Sequence, residues 1–332
     1  MEKSSDYTPS TLSIKLNNFC ISGFCRYGRI IALFGFLIFI SCLHPGETEI
    51  QSSEKDEFAY DLDHPDDTYT LPAYLEEISG LSYYGRDKIA CIQDEKGMIY
   101  VLNLEKEEIS KKIEFGEDGD YEDITVEDKT AYVLRNDGRI YRVKDFTKKD
   151  RKVSKFDTPL KEKNDSEGLA YDPLTKGLLI ACKGSPSIDK EHPYEGYKAI
   201  YRFDLEKEEL EKAPLFLIDL ERLDSYKDQS AFEKLSVSVA KRLRLVESET
   251  SFQPSGIAID PRYGEIYIIS SVGKLLIVLD RRGKVKDVKE LDPGLFRQPE
   301  GICFSPSGGL YISNEGQGGM GYILYFKPED EN

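Results

Sequence analysis

The sequence predicts an all-β fold, a β-propeller of five blades. Two observations predict it. A unit opening on a polar residue, then Gly or Asp, then Leu or Ile recurs at Ser79, Glu122, Glu167, Ser255 and Glu300. Each opening leads into short apolar strands separated by turns, and four-stranded units repeating every 40–45 residues or so are the signature of a propeller. The openings are spaced 43, 45, 88 and 45 residues apart.

The units are read in order. The first, from Ile78, runs ISGLSYY, KIACIQ, MIYVLNL and the alternating EEISKKIEF. The second, from Tyr121, runs YEDITV, TAYVLR and RIYRV. The third begins SEGLAYDP at Ser166, the fourth PSGIAIDP at Pro254 and the fifth PEGICFSP at Pro299. The alternation Lys111-Lys112-Ile113-Glu114-Phe115 suits a half-buried strand at a blade edge. Inside the 88-residue interval, Ala231, Phe232, Leu235, Val239 and Leu243 fall on one helical face. Ser230-x-x-Glu233 stands before them as a capping box. Blade three is therefore expected to end near Leu220, with a helical insertion at about 225–246 between blades three and four; six blades is the alternative. The fifth unit lacks an outer strand after Tyr322–Phe326. Tyr69-Thr70-Leu71 or Phe58–Leu62 is expected to supply it from the N-terminal side, leaving no free edge on the ring.

Composition narrows the function. The chain has 332 residues, 61 acidic against 45 basic, and a net charge of -16. A phosphate-binding surface needs clustered Lys and Arg, so nucleic acid is excluded as a partner. Three His are few for a zinc site or a His-based triad, and the absence of Trp rules out repeats built on a Trp signature. The chain contains no Gly-x-Ser-x-Gly, phosphate loop or Cys-x-x-Cys, and offers no evident nucleophile.

The first 41 residues read as a leader. Ile30–Ile40 is a run of 11 apolar residues behind Arg26 and Arg29. It is too short to span a bilayer at about 1.5 Å per residue, and the layout is that of a secretory signal. Phe39-Ile40-Ser41-Cys42 resembles the lipobox of bacterial lipoproteins, in which the Cys is lipidated. The expected order is a leader over 1–41, lipid on Cys42, a linker and closing strand over 42–74, and the propeller over 75–328. An uncleaved N-terminal anchor is the alternative. Either arrangement places the body in the cell envelope, membrane-anchored, on the periplasmic or outer-surface side. Cys91, Cys182 and Cys303 sit in apolar runs and read as buried small hydrophobes.

The five opening residues start the innermost strands, so Ser79, Glu122, Glu167, Ser255 and Glu300 are expected to ring one mouth of the central channel. Glu122, Glu167 and Glu300 converging there must share a cation or take up protons. A second polar set at the far end of the next strand contains Asp94, Glu95, Asn136, Ser270, Asn314 and Glu315, with Arg135 and Lys183 as counter-charges. The acidic turn Glu117–Asp123 adds Asp120. All-oxygen donors without His favour a hard ion, Ca²⁺ ahead of Mg²⁺. The plainer alternative makes the glutamates polar plugs bonded to backbone N–H groups, and a third makes one of them a catalytic carboxylate.

Units reading GDYED, SEGLAYDP, PSGIAIDP and RQPEGICFSPSGGLYISNE resemble the SdiA-regulated family, the calcium-regulated β-propeller proteins among them, over roughly Leu75–Lys327. The resemblance implies a secreted or membrane-associated propeller linked to calcium homeostasis and considered phytase-like, with no firm catalytic activity. It favours Glu122, Glu167 and Glu300 as shared acidic positions. The second unit departs from the pattern, with Asp123 where Gly usually follows Glu. Three functions are open on this reading. One is a lipid-anchored propeller that binds Ca²⁺ and an unidentified protein or small-molecule ligand, in calcium homeostasis or signalling. Another is a Ca²⁺-dependent phosphoesterase or lactonase-like hydrolase with Glu315 or Asp94 as base. The third is an interaction scaffold that uses the helical insertion.

Overall fold

The computed structural model describes residues 58–223 and 252–329. Short runs of β-branched and aromatic residues broken by turns form 21 strands there, in five antiparallel sheets. Blade one is β2 (Ile78–Tyr83), β3 (Lys88–Gln93), β4 (Met98–Asn103) and β5 (Glu108–Glu114). Blade two is β6 (Tyr121–Glu127), β7 (Thr130–Arg135), β8 (Ile140–Lys144) and β9 (Lys152–Phe156). Blade three is β10 (Ser166–Asp172), β11 (Gly177–Cys182) and β12 (Tyr197–Asp204), with its outer edge split between β13 (Glu209–Leu210) and β14 (Phe216–Asp219). Blade four is β15 (Gln253–Ile259), β16 (Ile266–Val272), β17 (Leu275–Leu279) and β18 (Val285–Glu290). Blade five is β19 (Pro299–Phe304), β20 (Leu310–Asn314) and β21 (Tyr322–Phe326), completed by β1 (Asp67–Thr70).

The protein is thus a five-bladed propeller, and the six-blade alternative is excluded. The expected insertion at about 225–246, the leader over 1–41 and Cys42 lie outside the described residues. Among the described residues no helix is long and apolar enough to cross a membrane.

Strand position dictates composition. Inner strands are covered on both faces, so β3 and β11 are almost wholly buried and read as continuous apolar runs. Outer strands face solvent on one side, so β5 is mostly exposed and buries only Ile113. Five apolar clusters fill the seams between neighbouring blades. Cys91 and Tyr100 of blade one meet Cys303 and Tyr311 of blade five in one seam, and Leu134 meets Leu178 between blades two and three in another. Cys91, Cys182 and Cys303 are free and buried, as expected.

The ring closes through β1, which pairs antiparallel with β21 from Asp67 opposite Tyr325 to Thr70 opposite Tyr322. This matches the first of the two expected donors. The second, Phe58–Leu62, packs instead against blades four and five, with Tyr60 and Leu62 in their seam. The Tyr60 hydroxyl donates to the Gly308 carbonyl at 2.6 Å and accepts from Arg262 at 2.7 Å.

One feature repeats in every blade. The pairing of each innermost strand with its neighbour slips near its start, between Ile78 and Leu81, Tyr121 and Asp123, Ser166 and Gly168, Pro254 and Gly256, and Pro299 and Ile302. Each slip is a β-bulge, and the opening residue of the unit sits in it. A bulge leaves its extra residue outside the ladder and re-aims the side chain.

The glycine after the opening residue lets the next blade come close. A Cβ on Gly256 would lie 2.5 Å from the Glu300 carbonyl oxygen. One on Gly301 would lie 2.5 Å from Leu81 and 2.7 Å from the Ser79 carbonyl, and one on Gly80 would overlap Asp123. Blade two has Asp123 at this position and uses it differently. The carboxylate is 1% exposed and accepts from Leu169 N in blade three and from Ile124 N, both at 2.7 Å. Burial pushes its pKa well above the usual range, against the pull of those two N–H groups.

Three substitutions test this packing by urea unfolding. Gly256→Ala should cost about 1–3 kcal/mol through overpacking against rigid backbone, while Gly294→Ala, whose Cβ would meet only the Asp292 side chain at 3.3 Å, should change stability by less than about 0.5 kcal/mol. Asp123→Ala should cost about 2–4 kcal/mol, because two buried N–H groups lose their acceptor.

Candidate functional site at the channel mouth

The antiparallel ladder merges the two polar sets expected from the sequence. The start of each innermost strand lies beside the end of the second strand: Ile78 opposite Gln93, Tyr121 opposite Arg135, Ser166 opposite Cys182, Pro299 opposite Asn314. The opening residues and the residues following the second strands therefore share one mouth. Backbone bonds join neighbouring blades there. Tyr121 N donates to Asp94 O at 2.7 Å, Ser166 N to Asn136 O at 2.9 Å and Gly316 N to Glu76 O at 2.9 Å.

Glu167 and Glu300 are buried, with 6% and 8% of their surface exposed, and Glu122 and Glu315 are half-buried. Burial disfavours the carboxylate form and mutual repulsion adds to it. Burial, with repulsion from Glu167 and Glu315, raises the Glu300 pKa to about 8. Burial, with Asp94 and Glu77, raises that of Glu315 to about 7. Glu122 is raised by burial, by Glu167 and by Asp120, with which its carboxyl shares a hydrogen bond. Asp94 is raised by burial and by Glu77.

Lys183 is the resident counter-charge. Its Nζ donates to Glu167 Oε1 at 2.8 Å. Burial works against the ammonium, but Glu167 and Glu300 outweigh burial and raise its pKa. Glu167 is still raised overall, because burial exceeds the help from Lys183.

Every predicted site residue among the described ones has a clear place. Ser79, Glu122, Glu167, Ser255 and Glu300 occupy the bulges. Asp94, Asn314 and Glu315 join them at the mouth. Asp120 is exposed at the mouth, where it accepts a hydrogen bond from Asn136 Nδ2. The Ser255 hydroxyl donates to the Pro299 carbonyl at 2.7 Å, so it ties blade four to blade five.

Arg135 corrects an expectation. It pairs with Asp137 at 3.3 Å and bonds Tyr141, so it turns into its own blade and is not a counter-charge for the mouth acids. The acidic turn is also only partly a turn: Tyr121 and Asp123 are buried in β6. The donor set suits a hard ion in chemistry but not in arrangement: among the described residues no group of three or more His, Cys, Asp or Glu side chains lies close enough to hold a metal ion.

A match to the SdiA-regulated family model spans residues 52–317. The chain belongs to the SdiA-regulated family. A search of curated proteins found no match. Solved structures similar to this SdiA-regulated propeller include the glutaminyl cyclase of Myxococcus xanthus, at 12% identity over 81% of this chain and 97% of that one, with a TM-score of 0.51. A streptogramin B lyase matches at 11% identity over 79% and 97%, with a TM-score of 0.45. The PQQ-bound aldose sugar dehydrogenase of Streptomyces coelicolor matches at 13% identity over 80% and 98%, with a TM-score of 0.46. At such identities the likeness speaks for the fold alone.

Sequence reasoning missed four mouth residues of this family member. Glu77 and Asp165 stand two positions before Ser79 and Glu167, as Asp120 does before Glu122. The same two-residue spacing in three units, an acid just before each innermost strand, carried the signal. Lys198 and Lys274 carried no comparable signal. Lys198 lies on the third strand of blade three, where its Nζ donates to the Lys183 carbonyl. Lys274 follows β16, donates to Ser271 O at 2.8 Å and faces Glu300.

The raised carboxyls fix a pH dependence. Glu300 holds its proton more tightly folded than unfolded, so its favourable contribution is complete below its ordinary value of 4.5 and is lost as pH rises through about 8. Thermal stability should fall over that interval. Glu300→Gln should flatten the profile and stabilise the protein above pH 8, by at most about 5 kcal/mol at roughly 1.4 kcal/mol per pH unit; an unchanged profile would show that Glu300 ionises freely.

Proposed function

We propose that this SdiA-regulated propeller is a binding protein of the cell envelope, held by lipid on Cys42, whose channel mouth captures a positively charged ligand. One observation carries the reading. Blades five, one and two bring Glu300, Glu315, Glu77, Asp94, Asp120 and Glu122 to the mouth, and no basic side chain on those blades compensates them there. Clustered buried carboxylates need positive charge, from protons or from a cation.

An organic ammonium suits the arrangement better than a bare metal ion. The carboxylates are spread around the mouth instead of closing on one point. Among the described residues, the one cation bonded to an opening glutamate is itself a primary ammonium, that of Lys183 on Glu167. Calcium is the second cation to test; its binding requires Lys183 to leave Glu167 and further carboxylates to close in.

Calorimetric titration of the full-length chain with butylamine and with CaCl₂ tests this. At least one of the two should bind at a single site and bind the Glu122/Glu167/Glu300→Gln triple variant at least tenfold more weakly, roughly the loss of one charge-assisted contact or more. Affinity should rise between about pH 6 and pH 9, because Glu315 and Glu300 must release protons first. Absence of heat from either cation in a cooperatively folded protein would refute the reading.

A further inference from the structure

The mouth is charged unevenly, and the unevenness names a ligand class. Three amines stand on the blade three and four side: Lys183 and Lys198 from blade three, and Lys274 from blade four. The acids facing them from those blades are Asp165 and Glu167. Glu300 and Glu315 from blade five, Glu77, Asp94 and Glu95 from blade one, and Asp120 and Glu122 from blade two make up the opposite side. A charge dipole therefore lies across one opening.

The amines are not all used by the fold. Lys183 is bonded to Glu167, but neither Lys198 nor Lys274 makes an ion pair with a carboxylate among the described residues; both ammonium groups bond backbone carbonyls. Lys198 is 7% exposed. Burial holds both below the ordinary lysine value, the mark of a cation short of an anion.

A second, independent observation points to a ligand. Asn314 is fully buried, and neither its amide nitrogen nor its amide oxygen has a hydrogen-bond partner. Its neighbour Ser313 turns toward blade one, donating to Ser79 O at 2.8 Å. Strand alternation turns Asn314 the other way, on the face where Ile312 packs with Ile269 and Leu276 of blade four. Its amide is thus aimed at the mouth end of the seam where Lys274 faces Glu300. A buried amide left without partners costs about 1–3 kcal/mol, and a ligand with donors and acceptors would satisfy it. Asp94 Oδ1 is a further buried oxygen at the mouth without a partner.

We infer that the mouth binds a small zwitterion of the amino-acid type, its ammonium on the blade five, one and two carboxylates and its carboxylate on Lys274, with Asn314 bonding between them. The inference rests on the cation-binding reading and extends it to an anionic end. A purely cationic ligand would leave Lys274 unmatched and would be repelled by it. A purely anionic one would be repelled by the wider acidic arc.

The test compares 4-aminobutyrate, butylamine and butyrate by calorimetry on the full-length chain, with glycine and 6-aminohexanoate added to vary the span. At least one of the three zwitterions should bind about tenfold or more tightly than butylamine, and butyrate should not bind. Lys274→Met should weaken the best zwitterion about tenfold while tightening butylamine, since it removes a repelling charge. Asn314→Leu, close in volume, should weaken the zwitterion with little change for butylamine. Thermal melts verify that each variant folds. If no zwitterion exceeds butylamine, the inference fails and the cation reading stands. If neither zwitterion nor butylamine binds, this inference fails, and the cation reading rests on Ca²⁺ alone; without Ca²⁺ binding as well, both fail.

Discussion

The whole structure depends on how closely the innermost strands approach one another. Five blades leave a narrow ring, and each inner strand must lie against its neighbour's backbone. Gly80, Gly256 and Gly301 make that possible because a Cβ would collide with the adjoining strand. Where the glycine is missing, Asp123 spans the same seam by accepting hydrogen bonds from both blades. The contact is one of shape in four blades and of polar bonding in one.

The bulges follow from that packing and create the site. A regular ladder would send the opening residue into one of the seams. The slip beside it frees the side chain, and the same slip in five blades points Ser79, Glu122, Glu167, Ser255 and Glu300 to one end of the channel. Structure and electrostatics are then in tension. The seams gain from burial, but the carboxylates lose solvation and repel one another, so their pKa values rise. Lys183 relieves part of this at Glu167. The rest of the repulsion is retained in the resting protein, which is the usual condition of a site built for an incoming charge.

Ring closure protects the arrangement. With β1 supplied from the N-terminal side, blade five gains its outer strand and the first and last blades become neighbours without a free inner edge. Tyr60, held by Gly308 and Arg262, fastens the preceding segment to blades four and five. Two surface clefts lie elsewhere, one lined by Leu295, Arg297 and Met320, the other by Glu114, Lys149 and Arg151, and neither is lined by a mouth residue.

The sequence by itself determined the repeat and the five openings, and it offered two candidates for the closing strand. These are local properties: strand alternation, turn composition and register survive in one dimension. It also marked the bulges, through glycine inside four of the apolar strands, although that signal went unread. Only the tertiary structure decided that the two polar sets form one mouth, because antiparallel pairing brings the end of a second strand back to the start of the first. Only the tertiary structure removed Arg135 from the site and brought in Lys198 and Lys274 from a third strand and a hairpin. Coulomb interactions depend on distance across the ring, and residues 167 and 300 are neighbours only once the ring has closed.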